Sequence, residues 1–369
     1  MIVRAALIAA FLTVTPILEP KASQSDTVAA LQKNRICFLN GRDRTYLFWR
    51  DFEDFIQLAA RNLGIELSVY RANSNPFRQL EILNELAQND ACQAIITRTL
   101  KRNGIELLEI AERAKKPIFL VNSSLTIEQQ KEMDDTGRKF IYWVGEMLPD
   151  DELAGYQQAK ALTLAARKNK LDDEGMVHMV ALAGPHANNA SLARVSGLRR
   201  YATEDKKVNI AQIVNSEDVS QQIAAHRTSA ILERYPQTNI VWTHNDQIAL
   251  GVSNATRNSK RKILIGGMDW SHEAIEEIKK GNIELSLGGH VMHGAWALIL
   301  VYDYLNGIQP TVKSVRIPLE ILTSDNYQAF KTIKAANNFD FSTYSKVLNR
   351  SLGKYNFALP NLDKSSTIE

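Results

Sequence analysis

The sequence predicts an α/β protein built as two doubly wound parallel-sheet lobes, with any ligand expected in the cleft between them. Three observations carry this expectation. Short, nearly all-apolar β-rich runs alternate with helical runs, the pattern of parallel strands covered on both faces. The alternation runs from Arg35 to about Gly145 and then starts again, so there are two blocks, each long enough for one sheet. The chain has 369 residues, which suits two domains. In open parallel sheets ligands sit outside the carboxyl ends of the strands, and two facing lobes make the space between them the natural site.

The elements follow in order. Residues 1–25 precede the alternation and read as a targeting segment. Arg4, the uncharged run 5–14, Pro16 and the small residues around Ala22 form the charged, apolar and cleavage regions of a secretory signal peptide, assigned to residues 1–22. The run is shorter than the roughly 20 apolar residues that span a bilayer. An uncleaved anchor or a buried N-terminal helix is the alternative. Residues 36–39 read as a buried strand and 41–46 as a polar loop. Residues 48–63 read as an amphipathic helix with Phe48, Phe52, Phe55, Ile56 and Ala59 on one face and Gly64 as its stop. Strands at 67–70, 94–97 and 118–121 are separated by a helix opened by Asn75-Pro76 and another over 104–114. A charged connector leads to Tyr142, Trp143 and Val144.

The second block reads as helix 155–168, strand 177–182, helix 190–201, strand 211–214, helix 220–234 and strand 240–243. Helix 248–256, strand 263–266, helix 272–279 and strand 283–287 continue it, and a long apolar helix covers 294–306. The chain is expected to change lobe near Gly145, Gly288 and Pro318, making a three-strand hinge in which glycine absorbs backbone rotation. Residues 35–145 and 289–318 then form the N-terminal lobe, and 146–288 and 319–333 the C-terminal lobe. Residues 334–369 form a tail, with Phe341, Tyr344, Tyr355 and Phe357, that wraps one lobe.

Composition excludes several classes. Hydrophobic residues at 45% and charged residues at 23% argue against wholesale disorder and against a multi-span membrane protein. A net charge of +3 is too small a surplus to indicate nucleic acid as a partner. Two cysteines cannot make a disulfide scaffold or a four-cysteine zinc site. Cys37 and Cys92 lie on or beside neighbouring strands. An oxidising compartment permits a bridge and strand geometry often forbids one, so the pairing stays open. The seven histidines show no tight metal spacing, and the chain lacks a nucleophile elbow, a P-loop and a dinucleotide fingerprint. No enzyme activity, metal or cofactor is expected.

Four stretches then resemble one family. They are Asn40-Gly41 to Phe48-Trp49 with Leu63-Gly64, Ala190 to Leu198 around Arg194, His244-Asn245-Asp246 to Gly251, and Gly266-Gly267-Met268-Asp269 with Glu273-Ala274-Ile275. In this order they are similar to the first helix, the Arg-x-x-Gly-Phe helix, the Asn-Asp-x-x-Ala-Leu-Gly signature and the Gly-Phe-Asp stretch of type 1 periplasmic binding proteins of the ribose, galactose and autoinducer-2 kind. The resemblance runs from about Arg35 to Leu322. It implies a periplasmic monomer that captures a small sugar, polyol or autoinducer-like molecule. Its partner is implied to be the membrane permease of an ABC importer or, alternatively, a membrane sensor kinase that reads the loaded protein.

The candidate ligand-binding residues follow from strand ends and from this resemblance. Phe48 and Trp49 offer rings to the apolar faces of a sugar. Phe48 shares the buried stripe, whereas Trp49 lies off it. Tyr46 sits in the preceding loop. Asn122 follows the strand 118–121, where the family often has Asp, and can donate as well as accept. Arg194 projects toward the cleft, able to bind two oxygens at once or to form a salt bridge. The family's second arginine, two positions earlier, is replaced by Leu192. Asn245 is implied as a ligand contact, with Asp246 capping the next helix. Asp269 closes its strand as an acceptor for paired hydroxyls. Trp270 packs either over the ligand or into its own lobe. His290, after Gly288-Gly289, either reaches the ligand or supports the hinge.

Overall fold

The structure is a computed structural model that describes residues 34–186, 188–328 and 339–357. The expected signal peptide, residues 329–333 of the second lobe and tail residues 334–338 and 358–369 lie outside the described residues. The chain runs β1 (Arg35–Asn40), α1 (Leu47–Leu63), β2 (Glu66–Arg71), α2 (Pro76–Gln88), β3 (Ala94–Thr97), α3 (Gly104–Arg113), β4 (Ile118–Val121), α4 (Ile127–Thr136) and β5 (Trp143–Pro149). It continues α5 (Asp151–Lys168), β6 (Val177–Ala183), α6 (Asn189–Glu204), β7 (Val208–Asn215), α7 (Gln221–Arg234), β8 (Ile240–Thr243) and α8 (Asp246–Thr256). Then come β9 (Leu264–Met268), α9 (His272–Lys279), β10 (Leu285–Gly288), α10 (His293–Leu305), β11 (Ser314–Ile317) and β12 (Glu320–Thr323).

Two sheets result, in the orders β11-β5-β4-β3-β1-β2 and β12-β10-β9-β8-β6-β7. The pairings are parallel, except that β12 runs antiparallel to β10. Each sheet is covered on both faces, which is why β3, β4 and β8 are buried at every position. Local chemistry sets the helix ends. Gly64 stops α1 in the left-handed conformation at φ 67. Asn75 accepts from the Phe77 and Arg78 amides, and Pro76 opens α2. The segment expected to be a charged connector contains α4. That helix buries no residue and so has no apolar stripe to read. A reciprocal Thr126–Gln129 capping box starts it instead.

Cys37 and Cys92 are joined, with Cα atoms 5.6 Å apart, tying β1 to the segment that enters β3. The passage between sheets differs from the expected one at its first crossing. β5 stays in the first sheet through Pro149, pairing with β4 and β11, so the change comes after Pro149 and not at Gly145. The other two crossings lie between β10 and a short 3₁₀ turn at His290–Met292, and at Pro318 between β11 and β12. Gly288 has a packing role: a Cβ there would overlap the Trp270 indole. The left-handed backbone sits one residue later, at Gly289 with φ 100.

The described tail packs on the first lobe. Phe339 and Phe341 join the core formed by α1, α10 and the inner strands, and the Phe341 amide donates to Asn62 Oδ1 at 3.1 Å. Asp303, buried in α10, holds the rest. It accepts from Ser345 Oγ at 2.5 Å, the Lys346 amide at 2.7 Å and Tyr355 Oη at 2.7 Å. A cavity of about 330 Å³ lies where the tail meets the hinge, lined by Trp296, Ile317, Pro318, Tyr355 and Phe357 among others.

Candidate functional site

The carboxyl ends of both sheets face one cleft. α5 and α6 cross closely because Gly155 and Gly197 lack side chains; a Cβ on either would overlap a carbonyl of the other helix. This crossing brings Arg194 Nε to 2.7 Å from Asp151 Oδ1. Arg194 Nη1 also donates to the His244 carbonyl at 2.8 Å. Arg194 is only 5% exposed and forms this salt bridge within the second lobe.

Asp269 follows β9, its amide donating to the Leu287 carbonyl at 2.8 Å. Asp269 at φ 123 and Trp270 at φ 58 are both in backbone regions that L-residues rarely adopt. Such positions cost of order 1–3 kcal/mol each and cluster at functional sites. The surroundings hold them: the Trp270 indole is buried in the second-lobe core and donates to the Ser286 carbonyl at 2.9 Å. Trp270 therefore belongs to its own lobe. Asp269 Oδ1 lies 3.3 Å from His290 Nε2. Burial pushes the Asp269 carboxyl above the usual range, against the pull of Arg194. Burial, reinforced by Arg194, lowers His290 to about 3, so its imidazole is neutral. His290 Nδ1 has no hydrogen-bond partner among the described residues.

From the first lobe, Phe48 is half-buried, with its ring 4.6 Å from that of His290 and 4.9 Å from that of Trp49. Trp49 corrects the expectation drawn from the helical stripe. It is 6% exposed and part of the first-lobe core, because the Arg98 guanidinium covers its outer face at 4.5 Å. Phe48 is the more open of the two rings. Tyr46 sits at the rim, 39% exposed, under the Arg42 guanidinium at 4.7 Å. Asn122 has φ 64, and its Oδ1 is buried with no partner among the described residues. An acceptor left that way costs about 1–3 kcal/mol unless something donates to it.

The cap expected of Asp246 is made by Asn245. Asn245 has extended backbone, so its Oδ1 accepts from the Ile248 amide at 3.1 Å and caps α8. Asp246 lies inside the first turn, buried, and accepts from Ser286 Oγ and the Ser271 amide, each at 2.7 Å. Burial and the nearby Asp269 raise its carboxyl above the ordinary range. The amide nitrogen of Asn245 is the part of that side chain not spent on the cap.

Three residues here were not singled out from the sequence. Arg98 follows β3 at its carboxyl end, the same signal that marked Asn122. Asp151 opens α5, and its placement depends on the helix crossing. His244 is held neutral by burial and by Arg194, with Nδ1 lacking a partner among the described residues.

The family model of the periplasmic binding protein domain matches residues 36–309. The chain belongs to the periplasmic binding protein family. This binding protein is 25% identical over 264 residues to the D-allose-binding periplasmic protein of Escherichia coli (strain K12), covering 69% of this chain and 80% of that protein. It is 23% identical to the ribose import binding protein of Bacillus subtilis (strain 168), covering 75% and 83%. Among solved structures, a periplasmic sugar-binding protein from Pseudomonas fluorescens superposes with a TM-score of 0.75 at 27% identity, covering 88% of this chain and 97% of that one. The solute-binding protein of an Actinobacillus succinogenes 130z ABC transporter, solved with D-allose, shares the fold at a TM-score of 0.70 and 20% identity, covering 80% and 99%.

Proposed function

We propose that this binding protein is exported to the periplasm, closes its lobes on one small sugar-like molecule as a monomer, and delivers it to the permease of an ABC importer without chemical turnover. The observation that supports the reading is a chain of contacts in which the Phe48 ring lies 4.6 Å from the His290 ring and His290 Nε2 lies 3.3 Å from Asp269 Oδ1. Among the described residues Asn122 Oδ1 and His290 Nδ1 lack partners, Asp269 presents an acceptor on strained backbone, and the half-buried Phe48 ring stands beside His290. An aromatic face with a few convergent polar groups is the chemistry a sugar needs. The relatives named above include sugar-binding and import proteins, which favours delivery to a permease over presentation to a sensor kinase.

The test is a thermal-shift screen of sugars and polyols, followed by calorimetry on the hits. A ligand at a hundred times its dissociation constant should add about 2.7 kcal/mol of stability. Asp269→Ala should weaken binding by about 2 kcal/mol or more, since hydroxyls lose their carboxyl partner. No shift with any sugar, or depletion of the added compound, would refute the reading.

A further inference from the structure

Arg98 is a buried cation that no carboxylate among the described residues neutralises. Arg98 is 9% exposed at the carboxyl end of β3, among groups from β1, β4 and α5. Its Nε donates to Ser123 Oγ at 3.3 Å, and its face lies on the Trp49 ring. Among the described residues no carboxylate forms an ion pair with it; Asp151 acts on it only from a distance, and Arg42 opposes it. Its two terminal nitrogens have no hydrogen-bond acceptor among the described residues. The other buried arginine of the cleft, Arg194, is matched by Asp151, and Arg44 is matched by Glu53 and Asp54. Arg42 also makes no ion pair among the described residues. It donates to Ser74 Oγ at 2.7 Å.

A buried guanidinium without a counter-ion is costly unless something supplies one. The half of the cleft with Arg98 and Arg42 therefore carries surplus positive charge. The opposite half offers Asp269 and the neutral His290 as hydrogen-bonding groups for hydroxyls. The free edge of Arg98 has the two parallel donors that fit a carboxylate bidentately.

Resting on the sugar-binding reading, we infer that the ligand is a sugar acid, with its carboxylate on the terminal nitrogens of Arg98 and its hydroxyls reaching Asn122 and Asp269. The surplus charge selects against the neutral sugar of the same shape, because that sugar would bury Arg98 without a counter-ion. Ser123 Oγ, already in contact with Nε, steadies the guanidinium plane.

Calorimetry on the wild-type mature protein with matched pairs tests this: glucose and gluconate, galactose and galacturonate, ribose and ribonate, each beside the sugar phosphate. The acid of at least one pair should bind about 100-fold tighter than its neutral partner. Arg98→Gln should remove that preference, weakening the acid about 100-fold and the neutral sugar less than 3-fold. Arg98→Lys, which keeps the charge and loses the fork, should retain part of it. A neutral sugar that binds as tightly as its acid overturns the inference and leaves the sugar-binding reading standing. A sugar phosphate that binds tighter than every carboxylate overturns it too. If no member of any pair binds, both fall together. The wild-type comparison needs no variant, so a misfolded Arg98→Gln protein would not spare the inference.

Discussion

The ion pair between Arg194 and Asp151 can be separated into its two roles. Their side chains are 6% and 12% exposed, and the distance is 2.7 Å. Removing one partner of a buried pair leaves the other charge stranded, at a cost of about 3–5 kcal/mol. Arg194→Ala also strips a donor from the His244 carbonyl, which overlaps with that cost more than it adds to it. Asp151→Ala should cost about 3 kcal/mol for the mirror reason. The double variant strands nothing, so its loss should be close to that of one single variant. A double-mutant cycle should then give about 3 kcal/mol of coupling, at the upper end of the range for contacting residues. Urea denaturation of the four proteins without ligand measures it. Additive losses would show that the two side chains do not act as a pair in the second lobe, and that the close α5–α6 crossing holds for other reasons.

Further outcomes can be stated briefly. Cys37→Ala with Cys92→Ala opens a loop spanning 55 residues, and should lower stability by up to about 4 kcal/mol on chain entropy. Reductant should shift the urea midpoint of the wild type and not of this variant. Gly197→Ala places a methyl group against the Glu152 carbonyl, and should destabilise by about 1–3 kcal/mol or more, read from the same denaturation curves. Asp246 and Asp269 have folded-state values raised to about 7, so the folded chain holds protons that the unfolded chain releases. Their contribution is fully present below the ordinary carboxylate value of about 4 and is lost as pH rises through about 7. Asp246→Asn should flatten the fall in stability over that window; an unchanged slope would exclude Asp246 as a source.

Much of the fold can be read from sequence because buried parallel strands are apolar along their whole length, and 36–39, 94–97 and 118–121 show this directly. What could not be read lacks that pattern. α4 has no buried face, and β11 and β12 are short edge strands with mostly half-exposed positions. At the candidate site, strand ends were accessible to reasoning: Asn122 and Asp269 each directly follow a strand, and Asn245 comes close behind one. The helical stripe misplaced Trp49 because it cannot show that Arg98 would cover the indole. That Asn245 and not Asp246 caps α8 turns on a single residue of helix start, below what periodicity resolves. Asp151 depends on two glycines, Gly155 and Gly197, on different helices, a coincidence visible only once the helices are packed.

The tail's attachment to Asp303 bears on the order in which the molecule can be assembled. The first lobe draws its core from β1 and also from Phe339 and Phe341. The second lobe takes nearly all of its sheet from one stretch between β6 and β10. A chain delivered amino end first therefore has most of its second lobe in hand while the first still waits for its closing pieces. Until residues 345–355 arrive, Asp303 is a carboxylate set in an apolar helix without the donors that satisfy it. Arrival of those residues supplies the donors and covers the outer face of α10 in the same step. Because α10 begins just past His290, residues 345–355 also complete the support beneath one wall of the cleft.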